Sequence, residues 1–159
     1  MIDPEYLKIA EFAVQSVEGI KRTGIQVAAL EDRYAKMLMP LQGNVNHVGM
    51  MYAGSLFTLG EITGGIIHIV AFDVNKFFPI VKEVTIKFKK PALTDITVEV
   101  SLTKEEADKI QAEANEKGKA DFVLNLELKD ANEEVVSLVS GVWQIRAMPA
   151  GMEAPFAQK

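Results

Sequence analysis

The segment from Tyr52 to Phe72 constrains the fold more than any other part of the sequence. It reads YAGSLFTLGEITGGIIHIVAF, which is long enough for about six helical turns. It is apolar on most faces and contains four glycines. A helix that is apolar nearly all round is normally buried inside a protein. The sequence therefore predicts a long central helix over residues 52–72, covered by the rest of the chain.

One face of this helix carries its polar exceptions. They recur at helical spacing and are Thr58, Glu61, Gly65 and His68, with Gly54 on the same face. A carboxylate in the middle of an apolar helix is costly unless it is paired or lies in a wet cleft. Glu61 is therefore the main candidate catalytic residue, as a general base that activates water or as a nucleophile. The structural alternative is that Thr58 or His68 pairs with its carboxylate, or that the carboxylate reaches solvent at a subunit edge.

The hydrophobic period becomes two after Pro79, which is typical of half-buried strands. The last of these strands is apolar on both faces and is expected to be central in its sheet. Residues 25–38 have a mixed pattern that suggests another strand, and the Gly- and Asn-rich stretch from Pro40 to Met51 predicts a loop. The predicted strands cover residues 84–88, 96–102, 122–128 and 135–145, of which the first three alternate.

Two further helices are indicated by their end signals. Asp3-Pro4-Glu5 is a helix start and Lys21-Arg22 followed by Gly24 is a stop, so a first helix is predicted over about residues 4–21. Thr103 to Glu106 forms a capping box, which predicts a short polar helix that reaches Lys117 and ends at Gly118.

The order of these elements indicates the fold class. The strands come consecutively rather than alternating with helices, so the sequence predicts an α+β protein with a largely antiparallel sheet against the long buried helix. Its 159 residues are expected to form a single domain over 1–159. The tail from about residue 149 has no pattern and is expected to be mobile.

Composition removes several kinds of chemistry. The chain has no cysteine, which excludes disulfides, thiolate nucleophiles and cysteine-ligated metals. Its two histidines lack a further ligand cluster, so no metal site and no separate cofactor are expected. A net charge of −5 argues against nucleic acid as the main partner. The N-terminus lacks the features of a signal peptide and no membrane partner is expected, which predicts a cytoplasmic protein.

Residues 46–65, NHVGMMYAGSLFTLGEITGG, resemble the hotdog-fold acyl-CoA thioesterases, particularly the phenylacetyl-CoA thioesterase-like branch. Asn46 and Gly49 match the Asn-x-x-Gly of that branch, and Gly54 and Glu61 match its second glycine and its acidic residue. The stretch Ile86 to Ala92 is similar to the strand that ends in proline at the rim of the site. The chain departs from the pattern at Tyr52, Ala53 and Val81, where the branch has histidine, glycine and, often, serine or threonine.

The resemblance implies a fold and a mechanism. In hotdog proteins an antiparallel sheet wraps around a long central helix, and two subunits join their sheets with the sites at the interface. The resemblance therefore implies a homodimer or a dimer of dimers, in which Asn46 and the backbone N–H of Ala53 face Glu61 of another copy. Tyr52 can still donate a hydrogen bond at the histidine position. The acyl chain of an acyl-CoA is expected to run along apolar residues of the central helix, such as Phe57, and of the partner sheet. Gly54 lets the substrate approach closely, Thr58 and His47 are further candidate substrate-binding residues, and coenzyme A enters only as part of the substrate.

A basic cluster on this acidic chain suggests where coenzyme A is held. Lys82, Lys87, Lys89 and Lys90 surround Phe88, and lysine binds phosphate as a point charge. The alternative is an ordinary solvated strand face.

Two other functions stay open on the sequence. The departures at Tyr52, Ala53 and Val81 suggest a protein that binds an acyl or aromatic ligand without turnover. His47 precedes Glu61 by fourteen residues, a separation like that of the His and Glu in hotdog hydroxyacyl thioester dehydratases, although the proline-rich segment of those enzymes is missing here.

Overall fold

The computed structural model describes residues 1–155 and contains one six-stranded sheet with a long helix packed against it. The helices are α1 Leu7–Gln15, α2 Glu18–Lys21, α3 Ala53–Ala71 and α4 Lys104–Lys117. The strands are β1 Gln26–Glu31, β2 Tyr34–Met39, β3 Phe77–Phe88, β4 Ile96–Ser101, β5 Lys119–Lys129 and β6 Val135–Ala147. They are ordered β1-β2-β4-β5-β6-β3 and every neighbouring pair is antiparallel. This confirms the predicted α+β class.

The predicted central helix is α3. Its side chains Leu59, Ile66 and Ile67 are fully buried against sheet residues that include Met37 and Trp143. By length and apolar character alone α3 could cross a membrane. It is nevertheless mostly covered by the sheet and α1, as expected for the core helix of a folded α+β domain.

Glycines let α3 approach β6 closely. A Cβ atom on Gly60 would lie 2.7 Å from Val139 Cγ2, and one on Gly64 would lie 2.2 Å from two ring atoms of Trp143. Any larger residue would therefore push the helix away from the sheet.

The N-terminal helix is interrupted, which corrects the prediction of one helix over residues 4–21. A 3-10 turn at Pro4–Tyr6 precedes α1, and Val17 is extended (φ −108°, ψ 111°) between α1 and α2. The apolar spacing continues across this break, because Val14 and Ile20 are both buried. Periodicity alone therefore could not reveal it.

Strand β3 begins before Pro79, whereas the sequence indicated a strand only after it. Pro79 lies inside β3 and faces Ile145 of β6. A proline is tolerated there because β3 is an edge strand whose second side needs no ladder donor within the chain. Strand β6 lies between β5 and β3, as its apolar pattern predicted.

The two sheet edges are treated differently. At β1 the N-terminal residues add a short parallel bridge from Ile2 to Leu30. At the other edge, β3 offers twelve residues that pair with β6 on one side and with no described strand on the other. An unpaired edge of this length invites pairing with another chain.

The remaining elements agree with their sequence signals. Thr103 and Glu106 form the reciprocal capping box, and Gly118 ends α4 with φ +76°. Residues 25–38 form a hairpin of β1 and β2 that turns at Arg33, where φ is +56°. In the predicted tail, residues 149–155 form no helix or strand, and 156–159 lie outside the described residues.

Candidate active site

The loop before α3 is organised by Asn44, a residue that the sequence did not single out. Its Nδ2 donates to the carbonyl oxygens of Thr23 at 2.7 Å and Pro40 at 2.8 Å. Its Oδ1 accepts from Ser55 Oγ at 2.9 Å, and its backbone oxygen accepts from Tyr52 N at 2.7 Å. Asn44 is buried, so these bonds fix the start of α3. No sequence signal distinguishes it from Asn46, because both asparagines lie in the same Asn-rich loop.

Asn46, a predicted site residue, shapes the loop with its oxygen. Its Oδ1 accepts from Val48 N at 3.0 Å and from Met50 N at 3.1 Å. Gly49 N donates to Asn46 O at 3.2 Å with φ +80°, a conformation that favours glycine. The Asn-x-x-Gly pattern thus has a structural reason. The Nδ2 group makes no hydrogen bond within residues 1–155. His47, next to it, is exposed.

The first turn of α3 presents free backbone donors. Tyr52 is the N-cap with ψ 137° and no side chain caps the helix. The N–H groups of Ser55 and Leu56 donate to Tyr52 O, whereas those of Ala53 and Gly54 have no acceptor in the part of the chain that is described. Free N–H groups at a helix start attract negative charge. The turn is exposed, because Tyr52 keeps 59% and Phe57 40% of their accessible surface.

Glu61 lies midway along α3 and is half-buried. Its carboxylate has no hydrogen bond or ion pair to any of residues 1–155, and burial raises its pKa above the usual range. The two expected partners are engaged elsewhere. Thr58 Oγ1 donates to Gly54 O at 2.8 Å, and His68 Nε2 donates to Phe77 O at 3.1 Å. The alternative in which Thr58 or His68 satisfies Glu61 is therefore wrong for this chain.

His68 is not exposed on the helix face that presents Glu61, although both residues follow the same helical spacing. It is fully buried, and burial lowers its pKa to about 4. It is therefore a neutral core histidine at neutral pH.

The carboxylate of Glu61 borders a cavity of about 200 Å³. The cavity lies between α3, the end of α1 and β3, and its walls are apolar apart from Glu61 and Ser16. Val81, at the position where the family often has serine or threonine, is one of the wall residues. A β-bulge follows it, between Val81 and Glu83. The position agrees with the resemblance, but the side chain supplies no polar partner to Glu61.

The donors of the helix start and the carboxylate are far apart in one protomer. Ala53 and Glu61 are eight residues apart on the same helix, which separates them by about 12 Å along its axis. A single carbonyl cannot contact both groups. The two halves of the predicted site therefore meet only if a second copy supplies one of them.

A sequence comparison with protein families decides the family of the chain. The profile described as "Domain of unknown function (DUF4442)" matches residues 10–145. The chain is a member of the DUF4442 family. No curated protein matches its sequence significantly.

Solved structures share the fold of this DUF4442 protein. A Pseudomonas aeruginosa protein of unknown function, described as a "Probable Thioesterase", is 40% identical and has a TM-score of 0.84, with 93% of this chain and 99% of that chain covered. A Haemophilus influenzae thioesterase is 10% identical, with a TM-score of 0.68 and coverage of 91% and 92%. The E. coli PaaI protein from the phenylacetic acid degradation operon is 15% identical, with a TM-score of 0.61 and coverage of 89% and 93%. These comparisons confirm the hotdog fold and the resemblance to its thioesterases.

The predicted lysine cluster is divided in the DUF4442 chain. Lys82 lies on the sheet face opposite α3, where its Nζ donates to Asp121 Oδ2 at 2.6 Å, and Gln144 donates to the other oxygen of that carboxylate. Lys90 pairs with Glu134 at 3.0 Å. Lys87 and Lys89 are exposed and form no ion pair with residues 1–155. Of the four lysines in the expected cluster, Lys87 and Lys89 therefore keep ammonium groups without an acidic partner among residues 1–155.

Proposed function

We propose that this protein is a thioester hydrolase that acts on acyl-CoA-type substrates. The observation that carries the proposal is the Glu61 carboxylate, which borders a largely apolar cavity and has no hydrogen-bond or ion-pair partner among residues 1–155. A carboxylate held in this way is suited to accept a proton from water, because its raised pKa brings its basicity nearer to neutral pH. The thioesterase description of the 40% identical relative supports the same reaction class.

The proposed reaction is a water attack. Glu61 takes a proton as the water oxygen bonds to the thioester carbonyl carbon, and the carbonyl oxygen becomes an oxyanion. The free N–H groups of Ala53 and Gly54 stabilise that charge, and the Asn46 amide holds the carbonyl or the water. When the tetrahedral intermediate collapses, the carbon–sulfur bond breaks and the proton passes from Glu61 to the leaving sulfur. The products are a carboxylic acid and a thiol.

The proposed active form is a homodimer or a dimer of dimers. The separation of about 12 Å between Ala53 and Glu61 along one helix requires the donors of one copy to face the carboxylate of another. The open edge of β3 supports this assembly, because two copies of an unpaired strand can join antiparallel into one continuous sheet. Exposed apolar side chains near the helix start, among them Tyr52, Phe57 and Leu93, would be covered in the same interface.

Lys89 is proposed to meet the phosphates of coenzyme A, because it is one of the two lysines of the expected cluster, with Lys87, that have no acidic partner among residues 1–155. Lys82 and Lys90 would first have to leave Asp121 and Glu134. A cytoplasmic location, where acyl-CoA is available, is part of the same proposal.

A second candidate is binding of an acyl ligand without turnover. The apolar Val81 in the cavity favours it, because the strand position beside Glu61 then supplies no polar side chain to orient water. His47 is exposed and makes no hydrogen bond within residues 1–155, so no contact in the structure favours the dehydratase mechanism.

The test is thiol release from a panel of acyl-CoAs by the wild-type protein, Glu61→Gln and the control Glu116→Gln. Glu116 is exposed on α4, so its change leaves turnover intact. We expect Glu61→Gln to lose at least about 100-fold in kcat/KM, as for removal of a general base. Equal turnover by Glu61→Gln and the wild-type protein would refute the role of Glu61. Saturable binding of acyl-CoA with no thiol released by the wild-type protein would establish the second candidate.

A further inference from the structure

Helix α3 contains one glycine that packing does not explain. Gly60 and Gly64 are required by the close approach of β6, and a Cβ on Gly54 would touch the Tyr52 ring. A Cβ on Gly65, in contrast, would have Ile62 Cδ1 at 3.9 Å as its only neighbour within 4 Å among residues 1–155, apart from the adjacent residues and the backbone of its own helix. A glycine inside a helix costs about 1 kcal/mol relative to alanine. At Gly65, no close approach by any of residues 1–155 requires a glycine and so explains this cost.

The space in front of Gly65 belongs to the cavity of Glu61. Gly65 follows Glu61 by one helical turn and Ile69 follows by another, and both line the cavity. The opposite walls are formed by Ala13 of α1, Val17 of the segment between α1 and α2, and Ile80 of β3. The interruption between α1 and α2 therefore places Val17 over the cavity. Phe57 is not part of this lining, so the cavity leads from Glu61 toward the C-terminal half of α3.

We propose that this cavity is the acyl pocket and that Gly65, together with Ala13 and Val17 on the opposite wall, sets the largest acyl group that the protein accepts. The proposal rests on the proposed function, because the Glu61 carboxylate of that function is one of the residues that line the pocket. An apolar cavity of about 150 Å³ holds benzene, so about 200 Å³ fits an acyl group the size of one ring or a short aliphatic chain. Long-chain fatty acyl groups are excluded.

The first test fills the pocket and compares substrates. Gly65→Leu places a side chain in the open space, and Gly19→Leu is the control, because Gly19 is exposed on α2 with no atom within 4 Å of its Cβ position. Thiol release is measured over acyl-CoAs from acetyl to long-chain. We expect the wild-type protein to prefer short or single-ring acyl groups. We expect Gly65→Leu to lower kcat/KM for the larger accepted groups at least tenfold relative to acetyl-CoA, and Gly19→Leu to leave the ratio unchanged.

A uniform loss across all acyl lengths in Gly65→Leu, or wild-type turnover of long-chain substrates at the same rate as short ones, would overturn the proposal. A folded state of Gly65→Leu is checked by its unfolding transition. Gly65→Ala, which meets no close neighbour, is the milder variant with the same expected direction if Gly65→Leu does not fold.

A binding measurement separates this proposal from the proposed function. Trp143 lines the cavity and is the single tryptophan of the chain, so its fluorescence reports occupancy without turnover. Non-hydrolysable thioether analogues of acyl-CoA, graded by chain length, are the probes. We expect a saturable fluorescence change with analogues that carry small acyl groups, and an affinity at least tenfold lower in Gly65→Leu. This result would support the acyl pocket even if the protein hydrolyses no thioester. The wild-type protein could hydrolyse acyl-CoAs while Gly65→Leu leaves the dependence on acyl length unchanged in both assays. That result would reject the acyl pocket but would still support the hydrolase activity.

Discussion

The indole Nε1 of Trp143 donates a hydrogen bond to the backbone oxygen of Glu61 at 3.1 Å. Trp143 is almost fully buried, and a buried indole N–H normally requires an acceptor. A carbonyl oxygen in a helix can accept this second bond through its free lone pair. The bond joins β6 to the middle of α3 at the candidate catalytic residue. The core tryptophan therefore helps to fix the position of the Glu61 carboxylate.

We expect two adjacent glycines of α3 to respond to alanine with opposite signs. Gly64→Ala would place a methyl group 2.2 Å from the Trp143 ring and should lower the free energy of unfolding by about 1–3 kcal/mol through overpacking. Gly65→Ala meets ordinary contact distances only and should raise it by up to about 1 kcal/mol, because alanine is the better helix former. Urea denaturation of the two variants measures both values. A similar destabilisation by both substitutions would contradict the open space assigned to the Cβ position of Gly65.

The activity of the protein should depend on the ionisation of Glu61. Burial raises the pKa of this carboxyl above its ordinary value of 4.5, and a general base acts only when ionised. We therefore expect kcat/KM to fall as the pH decreases through a pKa above 4.5, and the residual activity of Glu61→Gln to lack this limb. The pH profile of thiol release measures this dependence for both proteins. If kcat/KM of Glu61→Gln falls at low pH as it does for the wild-type protein, Glu61 is not the group that titrates.

The same shift has a consequence for stability. The raised pKa means that the folded protein favours the protonated carboxyl, so this contribution is present at low pH and is lost as the pH rises through the folded-state pKa. Glu61→Gln should therefore become more stable relative to the wild-type protein between pH 4 and pH 7. Urea midpoints at the two pH values give the comparison.

His68 should make the protein sensitive to mild acid. Its pKa is lowered to about 4 by burial, against the opposing influence of the Phe77 carbonyl and Asp73. A depressed pKa for a base means that the unfolded chain binds the proton first. Stability is therefore complete above the unfolded value of 6.5 and declines as the pH falls toward 4. From these two pKa values we expect the free energy of unfolding to be about 2 kcal/mol lower at pH 5 than at pH 7.

The matched variant for this prediction is His68→Gln, which keeps an amide donor for Phe77 O but does not titrate. It should lose most of the difference between pH 5 and pH 7 in urea denaturation. A difference of the same size in His68→Gln would assign the acid sensitivity to other groups.

Lys89 should matter only for substrates that carry phosphate. If its free ammonium group meets coenzyme A, Lys89→Ala should raise KM severalfold for an acyl-CoA, because a charge-assisted contact is lost. The same acyl group on pantetheine, which lacks the nucleotide phosphates, should be unaffected. Lys109→Ala, an exposed lysine on α4, is the control for a general change of charge. An equal KM increase for both substrates would show that Lys89 does not contact phosphate.

Short sequence motifs predicted much of the fold, because the interactions that they specify form between residues close together in the chain. The capping box at Thr103 and Glu106 and the left-handed Gly118 act within one helical turn, and both occur as the sequence indicates. The alternation along β5 likewise predicts which face of the strand is buried, and the apolar character of α3 predicts that the helix is buried on most of its faces. The break at Val17 and the strand position of Pro79 did not follow, because each depends on what packs beside it.

The sequence by itself determined that one long apolar helix must be buried against a sheet and that this helix contains a single carboxylate. Only the tertiary structure decided that Thr58 and His68 leave Glu61 unpartnered, that Lys82 is held by Asp121, and that Gly64 meets Trp143. It likewise decided that Gly65 faces open space. The physical reason is that periodicity fixes only the direction of a side chain relative to its own helix or strand. The free energy of a buried charge, or of a glycine in place of alanine, depends on the atoms that pack beside it, and these come from distant parts of the chain.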